Sequence, residues 1–395
     1  MKEYDVAIVG GGPIGGHIAK QISQAGYKIA LFEEHKKIGE PLKCAGLVTP
    51  RPLQLTNISE KLVVQNKIKG ANIHSPSGHI LTIGGNKTHA FVIDRPKFDR
   101  EIINNSIDKG AEVFLENKII SAKKQGNHVE LKTKQNNNIQ CKLLIGADGP
   151  FSKTREWFNL PKPIEFLNGI SAEINGANLD PDFLEIFVGQ DIAPSFFAWI
   201  IPTNEQGSMA RIGLCINQDA PHPPNYYLSN FLKNKNTMPY LKNIKIIRKT
   251  GGAVPLGLIR KTTESNVMIA GDAAAQVKPT SGGGIYTGLL CANHCSTVAL
   301  ESLPKNDFTN IFLKKYHKLC INEIGKELKL GMKFRKIFKN LTDKQLDKYI
   351  IKFQDTKITE IISTCGDIDY PSKLAKPLLK NAPSLIKFLP KIIGK

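Results

Sequence analysis

Tyr4-Asp5-Val6-Ala7-Ile8-Val9-Gly10-Gly11-Gly12-Pro13-Ile14-Gly15-Gly16 reads as an apolar strand, a glycine turn and the opening of a helix that runs to Ala25. A second strand, Lys28-Ile29-Ala30-Leu31-Phe32, follows and closes on Glu33. Gly10-x-Gly12-x-x-Gly15 between a strand and a helix, with an acid at the end of the next strand, is the fingerprint of a dinucleotide-binding βαβ unit. The glycines permit the tight turn and a close backbone approach to a pyrophosphate. Amides near Pro13 and Ile14 lie at the positive end of the helix, and the Glu33 carboxylate suits the hydroxyls of a ribose. The chain is therefore of the α/β class with a Rossmann-like domain at residues 1–164.

Two later runs, Cys141-Lys142-Leu143-Leu144-Ile145 and Asn266-Val267-Met268-Ile269-Ala270, are short apolar strands that end in Gly-Ala-Asp-Gly and Gly-Asp. The same domain is thus assembled from separated pieces and resumes at residues 251–305. Between them, residues 165–250 alternate apolar and polar positions, as in Phe183-Leu184-Glu185-Ile186-Phe187-Val188, and are punctuated by Pro, Asn and Gly. They predict an inserted antiparallel sheet that covers the ligand. Residues 306–395 are lysine-rich, amphipathic and helical in pattern.

Composition narrows the classes. With 395 residues, 41% of them hydrophobic, the chain can build a large core. No apolar run is long enough to span a bilayer, which places the protein in the cytoplasm, free or on a membrane surface. Seven scattered cysteines without a C-x-x-C pair argue against a disulfide framework and against a zinc site; one local bridge involving Cys320 or Cys365 stays open. The net charge of +19 suits an anionic membrane or a nucleic acid. Residues 371–395 hold six lysines and no acid. At 100° per residue Leu374, Leu378, Leu385, Leu389, Ile392 and Ile393 oppose Lys373, Lys376, Lys380, Lys387 and Lys391. That pattern favours an anionic bilayer over nucleic acid, although Pro377, Pro383 and Pro390 interrupt it.

Three further motifs resemble those of the FAD-dependent aromatic hydroxylases. They are Gly146-Ala147-Asp148-Gly149-x-x-Ser152-x-x-Arg155, then Gly271-Asp272-Ala273-Ala274 with Pro279 and Gly282-Gly283-Gly284-Ile285, and Asp94-Arg95-x-x-Phe98-Asp99. The resemblance implies FAD as the cofactor, with Asp272 on the ribityl chain, the Gly284-Ile285 helix start at the flavin, Arg95 near the phosphates, and Ile119 where backbone meets adenine. For Arg95 a helix salt bridge with Asp99 is the competing reading.

Within that superfamily the chain resembles the geranylgeranyl reductases, including the archaeal digeranylgeranylglycerophospholipid reductases, over nearly its whole length. Pro41-Leu42-Lys43-Cys44-Ala45-Gly46-Leu47 is similar to the family's P-x-x-C-[GA]-[GE] element, and Phe197-x-Trp199-x-Ile201-Pro202 with Gly213 to its Y-x-W-x-F-P…G-x-G substrate motif. Phe197, Ile201 and Cys215 depart from that pattern. The resemblance implies saturation of isoprenoid double bonds by hydride from reduced FAD. Cys44, Ala45 and Leu47 would lie beside the flavin, and Phe197, Trp199 and Pro202 at the substrate. Cys44 is either the proton donor or a small packing residue, and Trp199 either lines the lipid tunnel or fills the sheet. A second dinucleotide fingerprint is missing, so ferredoxin, a deazaflavin and NAD(P)H all stay open as electron donor. The rival functions are an FAD-dependent monooxygenase of an aromatic or quinone substrate and a tRNA-modifying flavoenzyme.

Overall fold

Val6, Ala7 and Ile8 are fully buried on both faces of the first strand, Lys2–Val9, as the central strand of a parallel sheet must be. In the computed structural model, which describes residues 2–374 together with Pro377 and Lys380, this strand pairs in parallel with Ile29–Phe32 on one side and with Asn138–Gly146 on the other. Val267–Ile269 extends the sheet in parallel beyond Asn138–Gly146, and Glu112–Phe114 beyond Ile29–Phe32. The separated pieces expected from the sequence therefore meet in one sheet. Pro13 starts the Pro13–Ser23 helix at the position where its missing N–H costs nothing. That helix buries Ile18 and Ile22 against Val6 and Ile8, together with Ile103 of the Arg95–Ile107 helix and Leu289 of the Ile285–Ser302 helix. A hairpin, Ile119–Gln125 and His128–Thr133, covers the opposite face through Val129 and Leu131.

The second sheet has the strand order Lys245–Leu256, Glu165–Asn175, Met209–Asn217, Ala198–Pro202, Phe183–Phe187, Gly70–His74, Ile80–Gly84. It departs from the expected antiparallel insert in two ways. Its last two strands come from residues 70–84, and Phe183–Phe187 runs parallel to Gly70–His74. Alternation identifies the buried face of a strand and says nothing about its neighbour, so the sequence could not reveal this pairing. The Pro224–Lys233 helix covers one face with Tyr227, Leu228 and Phe231.

From Asn310 to Leu374 the elements are helical. Asn310–Phe338 presents Leu313, Tyr316, Cys320, Ile324 and Leu328 at three- and four-residue spacing to the Ile285–Ser302 helix. Asp343–Phe353 and Thr356–Cys365 then close the free edge of the second sheet: Gln354 Nε2 donates to Ile80 O at 2.7 Å, and Gly84 N to Ser363 Oγ at 2.8 Å. All seven cysteines are free. Among the described residues no helix is long and apolar enough to cross a membrane, and no cluster of His, Cys, Asp and Glu is arranged to hold a metal. The basic amphipathic pattern of residues 371–395 falls almost entirely outside the described residues.

The helical region is tied to the second sheet by a buried ion pair. Arg335 donates from Nε to Glu165 Oε2 at 2.9 Å and from Nη2 to Oε1 at 2.5 Å, and Nη1 reaches Ser195 O at 2.9 Å. Removing one partner of such a pair strands the other, so Arg335→Met is expected to lower the unfolding free energy in urea by about 3 kcal/mol. Adding Glu165→Gln should restore part of that loss, because the two positions are coupled.

Candidate functional site

Gly10 has φ +110°, and a Cβ there would stand 2.2 Å from Ala147 O; one on Gly15 would stand 2.1 Å from Gly10 O. Only glycine permits this crossing of turn, helix and neighbouring strand. Around Gly12, in contrast, a Cβ meets nothing within 4 Å. Gly12 opens the Pro13–Ser23 helix and no side chain caps that end. The amide ends at Ile14 and Gly15 thus face open space at a positive helix terminus. Glu33 stands at its rim: Oε2 accepts from Gly11 N at 2.8 Å, and Oε1 from His35 N at 2.9 Å.

Asp148 closes the next turn by accepting from Ser152 Oγ at 2.6 Å and Thr154 N at 2.9 Å. Arg155 then donates to Ala273 O and to Pro150 O, each at 2.9 Å, and braces the Gly271–Ala274 turn against it. Asp272 sits on this brace. Burial pushes its carboxyl up to about 6 against the opposing pull of Arg95. Gly284 opens the Ile285–Ser302 helix, again without a side-chain cap, and a Cβ on it would lie 3.0 Å from Asp272 Oδ1.

Arg95 holds Asp99 in a fork, Nε to Oδ1 at 3.1 Å and Nη2 to Oδ2 at 2.9 Å, so the helix salt bridge is formed. The Cys44 sulfur lies beside the guanidinium. Burial alone would lower the pKa of Arg95; the Asp99 carboxylate and the Cys44 sulfur reverse that and hold it charged. Cys44, Arg95, Asp99 and Asp272 are therefore neighbours.

The Cys44–Leu47 loop is held by a residue that the sequence reading missed. Arg211, 5% exposed, donates from Nη1 to Ala45 O at 3.1 Å and Ile93 O at 2.9 Å, and from Nη2 to Gln65 Oε1 at 2.7 Å. Its only signal was an arginine in the otherwise apolar run Ala210-Arg211-Ile212-Gly213-Leu214. Trp199 lies opposite Gly213, whose missing side chain leaves room for the ring: a Cβ would stand 2.5 Å from Cζ2. On one side Trp199 packs, as Ala45 and Leu47 do, against the buried group of Ile68, Ala90, Val92, Leu184 and Ile201. On the other it joins Phe196, Phe197, Cys215, Val254, Val277 and Met332, and its buried indole N–H has no partner. The Pro202 carbonyl, at the end of the same strand, accepts from Asn66 Nδ2 at 3.1 Å. The Ile119 side chain is in the core on the other face of the first sheet. Only the loop before it approaches the rim, through Asn117 N to Glu33 O at 2.9 Å.

Fold and motifs together define a dinucleotide-dependent flavoprotein, and the comparisons agree. Residues 3–295 match the FAD binding domain family. An uncharacterised protein of Methanocaldococcus jannaschii is 32% identical over 382 residues, 96% of this chain and 95% of its own. The digeranylgeranylglycerophospholipid reductase of the same organism is 30% identical over 393 residues, 98% of this chain and 97% of its own. A crystal structure of a geranylgeranyl bacteriochlorophyll reductase-like protein from Thermoplasma acidophilum superposes with a TM-score of 0.86 over 100% of both chains at 24% identity, and so shares the fold. The chain belongs to the FAD binding domain family and, within it, to the group of the archaeal digeranylgeranylglycerophospholipid reductases. Its cofactor is FAD.

The open space at Gly12, the two uncapped helix starts and the half-buried Asp272 fit such a cofactor. Gly12 has an ordinary backbone conformation (φ −77°), so Gly12→Ala should change apo-protein stability by less than about 0.5 kcal/mol. The same change should weaken FAD binding about tenfold or more, read by flavin fluorescence titration, because the added methyl enters the pyrophosphate approach. Asp272 gives a pH signature. Its folded pKa lies above the ordinary 3.8, so the ionised carboxylate destabilises the folded apo-protein above about pH 6 and is neutral in both states below about pH 4. Asp272→Asn should therefore raise apo-protein stability at neutral pH by roughly 1–2 kcal/mol, and thermal unfolding should show the gain vanishing towards pH 4.

Proposed function

We propose that the protein saturates the double bonds of geranylgeranyl chains in archaeal membrane-lipid precursors. The observation that carries this reading is the apolar cluster of Phe196, Phe197, Trp199, Cys215, Val254, Val277 and Met332, which joins the second sheet to the loop between Asp272 and Gly284. An isoprenoid chain needs such an apolar, water-poor wall. The named lipid reductases among the relatives support the same substrate class.

In this reading residues 1–164 and 251–305 hold FAD, with Gly10, Gly12, Ile14 and Gly15 at the pyrophosphate, Glu33 at the ribose, the backbone near Ile119 at the adenine, and Asp272, Gly284 and Ile285 at the flavin end. Residues 165–250 cover it, and residues 306–395 complete the wall through Met332. Bound and reduced, FAD supplies a hydride to an alkene carbon. The chain's own part is to orient the alkene, exclude water and deliver a proton. Cys44 carries that proton on Sγ. Gly46 N donates to the same sulfur at 3.3 Å and Arg95 lies against it, so its position is fixed from two sides. Arg211 locks the loop that carries it, while Phe197 and Trp199 wall the prenyl chain together with Pro202, which ends the strand that bears Trp199. The electron donor is a ferredoxin, a deazaflavin or NAD(P)H. The protein works at the cytoplasmic face of the membrane, where its substrate lies and its net charge of +19 favours anionic lipid.

Incubating the dithionite-reduced, FAD-loaded protein with digeranylgeranylglyceryl phosphate under anaerobic conditions should give lipid that gains the mass of one hydrogen molecule per saturated bond. Lipid of unchanged mass after exposure to fully reduced protein would refute the reading. Cys44→Ala should lower kcat about 100-fold, within the range of a lost general acid, with flavin content retained. An unaltered kcat would leave Cys44 as a packing residue.

A further inference from the structure

Lys278 and Arg51 are two cations on the segments assigned to the flavin, and neither takes part in the chemistry above. Arg51 follows the Cys44–Leu47 loop; Lys278 precedes Pro279, and its Cε lies 3.3 Å from where a Cβ on Gly283 would stand. Both converge on acids from a distant part of the chain. Arg51 Nη1 and Nη2 each donate to Asp367 at 2.8 Å, and Nη1 also reaches Asp369 Oδ2 at 2.7 Å. Lys278 Nζ donates to Asp369 Oδ1 at 2.5 Å and Thr49 Oγ1 to Oδ2 at 2.6 Å. The Asp369 side chain is 1% exposed and that of Lys278 9%. The Arg51 guanidinium lies over the rings of Tyr286 and Tyr370, whose hydroxyls bond each other at 2.8 Å.

The two charges have separate origins. Thr49, Arg51, Lys278 and Tyr286 belong to elements that flank Cys44 and Gly284. Asp367 and Asp369 belong to a strap that follows the Thr356–Cys365 helix, and Ile368 between them is 43% exposed. A strap at the surface can lift. Lifting it would leave a guanidinium fork, an ammonium and a hydroxyl facing one point without an anion, and that donor set suits a phosphate. Lys278 is buried and Arg51 half-buried, so without an anion between them the two like charges would repel in a partly desolvated site.

We propose that Thr49, Arg51 and Lys278 form a subsite for the phosphate of the isoprenoid lipid substrate, and that Asp367 and Asp369 occupy it when no lipid is bound. This rests on the lipid-reductase reading for the identity of the ligand, while the phosphate chemistry follows from the donor set itself. Binding of substrate exchanges carboxylates for phosphate at the same donors, so the strap closes the site in the resting protein and opens it on loading.

The test uses the FAD-loaded full chain. Steady-state reduction is compared for digeranylgeranylglyceryl phosphate, geranylgeranyl diphosphate and the dephosphorylated lipid, in uncharged micelles, with wild type, Arg51→Gln, Arg51→Lys and Asp367→Asn/Asp369→Asn. Arg51→Gln is expected to raise KM for a phosphorylated substrate about tenfold or more relative to the dephosphorylated one, with Arg51→Lys intermediate because it keeps charge and loses the fork. Whichever phosphorylated lipid suffers the loss identifies the source of the phosphate. The double asparagine variant should lower that KM several-fold and bind inorganic pyrophosphate more tightly than wild type by calorimetry. Equal KM shifts for phosphorylated and dephosphorylated lipids, or pyrophosphate affinity unchanged by the double variant, would overturn the proposal and leave the strap a structural latch. If wild type reduces no lipid, the reductase reading fails, and the pyrophosphate titration still decides whether the subsite exists.

Discussion

The close crossing of Gly10 and Ala147 is the constraint on which the site depends. With a Cβ excluded at about the distance of a covalent contact, 2.2 Å from Ala147 O, the turn after the first strand and the turn that follows Asn138–Gly146 must share one space. From there the wall is built by short steps. Asp148 fixes its own turn through Ser152 and Thr154, Arg155 carries that turn to Ala273 O, and Asp272 lies beside Gly284. Three motifs more than a hundred residues apart in sequence thus become one surface between two helix starts. Positive partial charge gathers at both helix starts, with Glu33 at the rim of one and Asp272 beside the other.

The groups that make this surface receptive are poorly satisfied in the polypeptide alone. Desolvation raises the half-buried Asp272 carboxyl, the Trp199 indole N–H has no partner, and the helices starting at Pro13 and Ile285 lack side-chain caps. Such local deficits are expected at a binding site and must be offset elsewhere. The Arg335–Glu165 pair is one place where they are. The buried cluster in the second sheet is another: Glu185 accepts from Asn72 at 2.9 Å and bonds His74 at 2.5 Å, and the His74 ring stacks on Phe187.

How much of this was legible in the sequence varied with the range of the interaction. The glycine turn, Glu33 and the Asp272–Gly284 element could be read because each is a local pattern whose residue types follow from backbone geometry. Asp99 as partner of Arg95 was also legible, being one helical turn away. What escaped depends on partners remote in sequence. Strands from residues 70–84 complete the second sheet, and alternation could not name their neighbour. Arg211 looked like one polar residue of a strand until Ala45, Ile93 and Gln65 gathered around it. The Asp367–Tyr370 strap carried no signal of its own within the helical pattern of residues 306–395, and only the fold brings Arg51 and Lys278 to it.

The central claim is that reduced FAD in this site passes its electrons to an isoprenoid alkene and not to oxygen. Rapid mixing of the anaerobically reduced protein with digeranylgeranylglyceryl phosphate, followed by flavin absorbance, tests it most directly. The account predicts return of the oxidised-flavin spectrum with oxygen rigorously absent, at a rate that rises with lipid concentration. A spectrum that stays reduced until oxygen is admitted, with a hydroxylated product appearing only then, would contradict it and make the protein a monooxygenase.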